Sequence, residues 1–375
     1  MKGGERARRR GLALLSVASA FGGVACAGDS TSGRWGELTS VDARVDVFVS
    51  DAEVAGTFTP LVDSFIADDS SVYWYDGRGA VFARRAGDAE VAQLRPPLAR
   101  PPGEYFLEFA IGMADDEERL FVGQAFLQTN VVDHFPVPEF VPPGRLVVIP
   151  KNGDPPTVVV ELDDATITPV ASDAARVIVF VEGANGGYYQ LLRSSLELER
   201  LPLEAPFYSS YRDGDALYWS NGYSPYSLYR SRFDDPEPTV VATPERGEID
   251  VGPGYALTRQ ERLVEPDFRV EQNFVLHDIA TGDERPLPGM GEPLSFETAL
   301  DARHAYWFSH GGGRPGDLVP TEPRVQLVRV DIESGALTLL NTPGFQIDSG
   351  AHLVGQTADR LFVATAGQIL SIEKP

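Results

Sequence analysis

An aspartate, four variable residues and then two residues suited to a buried strand recur along this 375-residue chain. Asp68 stands ahead of Tyr73-Trp74, Asp116 of Phe121-Val122, Asp173 of Ile178-Val179, Asp213 of Tyr218-Trp219, Asp250 of Tyr255-Ala256 and Asp301 of Tyr306-Trp307. Thr357 keeps the spacing ahead of Phe362-Val363. The anchors fall 37 to 57 residues apart. A period of about 40–50 residues made of short strands marks propeller blades, because one such sheet cannot bury both of its faces alone. Aspartate suits the anchor position because its carboxylate accepts hydrogen bonds from backbone amides two or three residues on, closing a tight turn. Aromatic and β-branched residues suit the pair because they fill a pleated surface packed on both sides.

The fourth unit shows the strands most clearly. Residues 207–212 lead into a turn at Asp213-Gly214-Asp215, residues 216–220 follow, and a loop leads to 227–232, an Asp234-Asp235-Pro236 turn and 239–242. The sixth unit repeats the second half with 325–332, the turn Glu333-Ser334-Gly335 and 336–340. Helical periodicity is nearly absent; its best candidate, 190–201, alternates as Leu196-Glu197-Leu198-Glu199 and reads as a strand. The seventh unit (351–356, 360–364, 368–372) runs out one strand short, while Val45-Asp46-Val47-Phe48-Val49 alternates cleanly ahead of the first unit. The expected fold is all-β: one seven-bladed propeller of four-stranded antiparallel blades over residues 44–375, closed by an N-terminal strand at 44–50.

The start of the chain reads as an address. Lys2, Arg6, Arg8, Arg9 and Arg10 precede an apolar stretch, 11–25, too short and too rich in Gly and Ala to span a bilayer permanently. This is an export signal over residues 1–25. Gly23-Val24-Ala25-Cys26 then resembles the lipobox of bacterial lipoproteins, in which the cysteine is acylated and becomes the mature N-terminus; Gly23 departs from the Leu-like residue that the family prefers. Ala27 after the cysteine implies the outer membrane by that family's sorting rule. An ordinary secretory signal cut after Ala20 or Ala27 is the alternative, giving a soluble periplasmic or secreted protein. Residues 26–43 read as a flexible tether, and any membrane contact is expected through lipid alone.

Composition excludes several classes. A 43% hydrophobic chain is not disordered, and one cysteine supports neither a disulfide framework nor a cysteine-based zinc site. With 32 basic and 55 acidic residues the net charge is −23, the wrong sign for nucleic acid. Beyond the signal only Lys151 and Lys374 remain as lysines. A monomer is expected.

The body resembles bacterial lipoproteins with a β-propeller, and the Tyr-Trp pairs resemble those of YWTD and NHL-like repeats. Tyr75, Ser220 and Phe308 stand where the YWTD family has Thr, and seven units stand where it has six. The resemblance therefore implies architecture and carries over no functional residue.

Parity picks the candidate face. In an antiparallel four-stranded blade, the connection between second and third strands shares a face with the link to the next blade. Those connections are long here (125–144, 221–226, 258–273 and 309–324, with a shorter one at 183–187), whereas first–second turns are short. Candidate ligand-binding residues on that face are Asn221, Tyr223, Tyr226, His310 and Arg314. His310-Gly311-Gly312-Gly313 resembles the oxyanion motif of α/β-hydrolase esterases, but no Gly-x-Ser-x-Gly elbow accompanies it. His134 beside Asp133 has no partner at metal-ligand spacing. Asp63, Glu108, Glu297 and Asp348 on the innermost strands could form a carboxylate ring for Ca²⁺; otherwise no cofactor is expected. The sequence leaves three readings open: a non-catalytic scaffold binding a protein or glycan, a purely structural envelope component, or a propeller-type hydrolase or lyase. The last would use His310 as acid/base, Arg314 to stabilise substrate charge, and Glu297 or Asp317 as orienting carboxylate.

Overall fold

The structure is a computed structural model describing residues 39–375 apart from 51–64, 97–105, 312–323 and stretches of one to six residues between strands. Two strands, β1 (Thr39–Asp42) and β2 (Val45–Ser50), precede the blades. Blade I is β3 (Phe65–Ala67), β4 (Ser71–Tyr75), β5 (Val81–Arg85) and β6 (Ala92–Arg95). Blade II is β7 (Phe106–Asp115), β8 (Arg119–Val132), β9 (Phe135–Pro150) and β10 (Thr157–Leu162). Blade III is β11 (Ala165–Ser172), β12 (Arg176–Gly183), β13 (Gly187–Leu192) and β14 (Leu198–Arg200). Blade IV is β15 (Phe207–Asp213), β16 (Ala216–Asn221), β17 (Leu228–Arg232) and β18 (Thr239–Ala242). Blade V is β19 (Ile249–Gly252), β20 (Tyr255–Val264), β21 (Arg269–Asp278) and β22 (Glu284–Pro286). Blade VI is β23 (Pro293–Leu300), β24 (His304–Gly311), β25 (Arg324–Asp331) and β26 (Leu337–Asn341). Blade VII is β27 (His352–Gln356), β28 (Arg360–Thr365) and β29 (Gln368–Glu373), completed by β2.

First strands of consecutive blades lie against one another all the way round, from β3 and β7 to β27 and β3, so the seven sheets form a ring. This is the seven-bladed propeller that the repeat implied.

The anchor and the pair each have a physical account. Asp68 Oδ1 accepts the Ser71 amide at 2.8 Å, Asp116 Oδ1 accepts those of Glu118 and Arg119 at 2.7 Å, and Asp301 Oδ1 accepts those of Arg303 and His304 at 2.9 and 2.8 Å. Each carboxylate thus closes the turn between first and second strands. Within the pair, the two residues face opposite neighbours. Tyr73 packs with Leu120 and Val122 of blade II, whereas Trp74 packs with Phe362 and Ile369 of blade VII. Tyr306 likewise joins Leu353 and Leu361 of blade VII, and Trp307 joins Leu257 and Phe274 of blade V. Apolar cores therefore lie between blades. Trp74, Trp219 and Trp307 are fully buried there, and burying one such ring contributes roughly 2–3 kcal/mol.

Four details differ from the sequence expectations. In blade V the turn anchor is Gly252, not Asp250: Val251 pairs with Ala256 and Gly252 with Tyr255, so Asp250 is a strand residue. Its Oδ2 accepts the Thr298 hydroxyl of blade VI. A Cβ at Gly252 would lie 2.5 Å from Leu300 Cβ, which explains why no aspartate occupies this turn. The connections at 125–144 and 258–273 are largely ladder rather than loop. Pairing of β8 with β9 continues to Val132 opposite Phe135, and that of β20 with β21 to Val264 opposite Arg269. The stretch 190–201 is two strands, split where Leu196 takes φ 58° and donates its N–H to the Leu192 carbonyl.

Closure matches the expected pairing and extends it. β2 pairs antiparallel with β29, Val45 opposite Ile372, and buries Val49 completely. β1, which falls inside the stretch expected as tether, adds a fifth, parallel strand to blade VI, Thr39 opposite Thr338. The N-terminal segment thus ties blades VI and VII together.

Candidate functional site

Alternation of strand direction gives the ring two unlike faces. The hairpin face carries the second–third connections and the links between blades; the turn face carries the first–second and third–fourth turns.

The residues singled out on the hairpin face are distributed round the ring. Backbone pairing places Asn221 at the end of β16, opposite Phe207 in blade IV, and His310 near the end of β24, opposite Val325 in blade VI. Glu297 lies on β23, beside His310's strand, and Glu108 on β7 opposite Phe126 in blade II. Their side chains, and the whole of Tyr223, Tyr226, Arg314, Asp317, Asp63, Asp348, His134 and Cys26, lie outside the described residues. Blade VI thus brings Glu297 and His310 onto neighbouring strands, while Asn221 sits two blades away. Among the described residues no group of three His, Cys, Asp or Glu is placed to hold a metal ion.

Sequence reasoning passed over a set of side chains on the turn face. The residue following the third strand reaches under the preceding blade's anchor, its amide bonded to the carbonyl two residues past its own blade's anchor position. Lys151 N donates to Glu118 O at 2.8 Å, Arg193 N to Ala175 O at 3.0 Å and Lys374 N to Asp359 O at 2.8 Å. Lys151 Nζ lies 2.8 Å from Asp68 Oδ2 and 2.9 Å from Asp115 Oδ2, and 4.6 Å from the centre of the Tyr73 ring. Lys374 Nζ lies 3.0 Å from Asp301 Oδ2, 2.9 Å from Gln356 Oε1 and 2.8 Å from the Thr357 carbonyl, 5.3 Å from the Tyr306 ring centre. Arg193 pairs with Asp116 and stacks 4.8 Å over Phe121. The three cationic side chains keep only 6–10% of their exposure. Each is a clamp of carboxylate, cation and aromatic face spanning two blades, and its three parts occupy equivalent places in the repeat.

The electrostatics follow from that geometry. Burial works against a charged Lys151, but its hydrogen bonds to Asp68 and Asp115 outweigh this and hold its pKa above the ordinary lysine value. Burial raises the Asp301 pKa, yet the Arg303 amide and the Lys374 ammonium more than offset it, so the carboxyl ends below its usual range. The signal that could have revealed these clamps was present: two lysines, each one residue past a third strand.

At the seam between blades V and VI the equivalent positions are Gly252, Leu257 and Ile332, with Ile332 N bonded to Arg303 O at 2.7 Å. This seam has no clamp. It opens instead into a cleft of about 400 Å³ on the turn face, floored by Tyr255, Leu276 and Ile332. Within blade V, His277 is buried with Nε2 2.6 Å from Thr258 Oγ1 and Nδ1 3.0 Å from Glu284 Oε1. Burial pushes its imidazole below the ordinary value against the pull of Glu284.

No family model matches this chain, and no curated protein matches it. Solved structures do. YCF48 bound to D1 peptide aligns over 90% of this chain and 98% of its own at 8% identity and a TM-score of 0.52. An oligogalacturonate lyase in complex with manganese aligns over 73% and 77% at 12% identity and a TM-score of 0.49. A puromycin-hydrolyzing peptidase of Mycobacterium tuberculosis matches at 14% identity and a TM-score of 0.45 over 80% of this chain, which spans about half (49%) of the peptidase. At 8% identity the likeness to YCF48 bears on the fold alone.

Proposed function

We propose that this protein is a non-catalytic binding scaffold of the bacterial cell envelope, exported behind residues 1–25 and held to the outer membrane by lipid on Cys26. It is monomeric and takes a protein or glycan ligand on the hairpin face. The observation that carries this reading is the pair of hairpins β8–β9 and β20–β21, whose ladders run on to Val132–Phe135 and Val264–Arg269. Both rise from one face, three blades apart in a seven-blade ring. Ordered arms on a rigid body suit recognition because little conformational freedom remains to be lost on binding. YCF48, which aligns over 98% of its length with this chain, was solved bound to D1 peptide, and that likeness supports the reading.

The test is a thermal-shift screen of residues 27–375 against peptide and glycan panels. It is repeated on a variant whose arms are cut back to tight turns at Phe126 and Thr258. The reading expects a ligand that stabilises the intact protein and not the trimmed one, without turnover. Cleavage of a glycan or peptide substrate, or binding indifferent to the arms, would overturn it. Globomycin-sensitive processing and palmitate labelling at Cys26 test the anchor separately.

A further inference from the structure

The cleft between blades V and VI belongs to the turn face and plays no part in the reading above. Its floor is apolar: Leu276 and Ile332 are nearly fully buried, and Tyr255 is half-buried beside them. Its rim carries five carboxylates against the two guanidiniums of Arg285 and Arg303. One guanidinium is committed, since Arg285 donates to the Glu333 carbonyl at 2.8 Å and bridges the two blades. Two rim carboxylates are fixed in place by their turns. Asp278 Oδ1 accepts the Ala280 and Thr281 amides, and Asp331 Oδ1 accepts the Ser334 amide and hydroxyl. These bonds hold both carboxyls below the ordinary range, so these two stay ionised further into acid than a free aspartate would.

The seam also lacks the clamp carried by three others, as does the seam between blades IV and V, where Ile279 follows the third strand. Between blades I and II and between VI and VII, a lysine from within the chain neutralises the carboxylates and lies over an aromatic ring. Between V and VI the cation is replaced by Ile332 and the anchor acid by Gly252, which leaves an apolar floor under an anionic edge.

We propose that this cleft is a binding site for a small organic cation, an ammonium carried on an apolar body, with the body on Leu276, Tyr255 and Ile332 and the charge among the rim carboxylates. The volume is within the range of small-molecule sites. The charge surplus selects the sign of the ligand, and the floor selects its apolar part.

Isothermal titration of residues 27–375 with phenethylammonium, with phenethyl alcohol and with 3-phenylpropionate tests this directly. The cation is expected to bind, weakening as salt is raised, and the neutral and anionic analogues are expected not to bind. Asp283→Asn combined with Glu333→Gln changes only exposed groups and should weaken the cation by about tenfold. Ala302→Trp, on an exposed turn at the rim, should abolish binding with the melting temperature kept. Equal binding of all three probes, no binding of the cation at millimolar concentration, or binding untouched by both variants would each overturn the proposal.

Discussion

The seam between blades I and II and the seam between blades V and VI are built on the same repeat and solved in different ways. At the first, Lys151 is sunk between Asp68 and Asp115 against the Tyr73 ring, three polar groups that satisfy one another with the two carboxylates still partly in contact with water. At the second, Gly252 sits so close to Leu300 that a side chain is excluded, and Leu257 and Ile332 fill the space with hydrocarbon. A clamped seam depends on all of its members, because removing one leaves buried charge behind. An apolar seam depends on fit, and each fault in it costs only locally. The ring therefore has joints of unequal character, and perturbation can tell them apart.

The largest expected effect precedes that contrast and sets its scale. Deleting residues 39–50 removes β1 and β2, opens the ring at blade VII and exposes Val49's partners; the melting temperature should fall by more than about 10 °C. An unchanged transition would show that β2 does not close the ring. Lys151→Met comes next. It strands Asp68 and Asp115, which are about 70% buried, and should cost about 2–3 kcal/mol by urea denaturation once solvent screening is allowed for. A loss below about 0.5 kcal/mol would erase the distinction between the seams. Gly252→Ala probes the opposite joint, where the new methyl must displace Leu300, and should cost about 1–2 kcal/mol. The smallest effect is in pH dependence. Because the Asp301 carboxyl titrates below its ordinary value in the folded protein, its contribution is complete above the ordinary carboxylate range and disappears as pH falls through the lowered value. Asp301→Asn should flatten the acid side of a plot of urea midpoint against pH, and a slope identical to that of the parent would count against the clamp at Lys374.

Much of this architecture could be read from the residues. The blade IV strands end within one residue of their expected bounds because Asp213-Gly214-Asp215 and Asp234-Asp235-Pro236 punctuate them. Blade V misled because Asp250 happens to stand five residues before Tyr255 while the backbone turns two residues later, at a glycine whose constraint comes from Leu300 in the next blade. No local rule reports a contact made 48 residues away. The β8–β9 arm looked like a loop because Pro136, Pro138, Pro142 and Pro143 crowd it. In an antiparallel pair, however, a proline is tolerated wherever its missing N–H would have pointed away from the partner strand. β1 was hidden for another reason: Thr39-Ser40-Val41-Asp42 has little apolar content, is mostly exposed, and is held by its backbone ladder to β26. Composition and face alone single out the candidate residues at the hairpin face. Composition does not fix how far apart blades IV and VI hold Asn221 and His310.

The meeting of early and late segments at one joint has a consequence for how the molecule is made. β2 zips onto β29, and Lys374 seats beside Asp301 only after β29 is in place. A nascent chain emerging from its N-terminal side can assemble sheet after sheet, yet it holds two raw sheet edges open until residue 374 arrives. Shutting the circle therefore waits on β29. Until it happens, the unfinished arc offers bare strands to any neighbour, including another copy of itself.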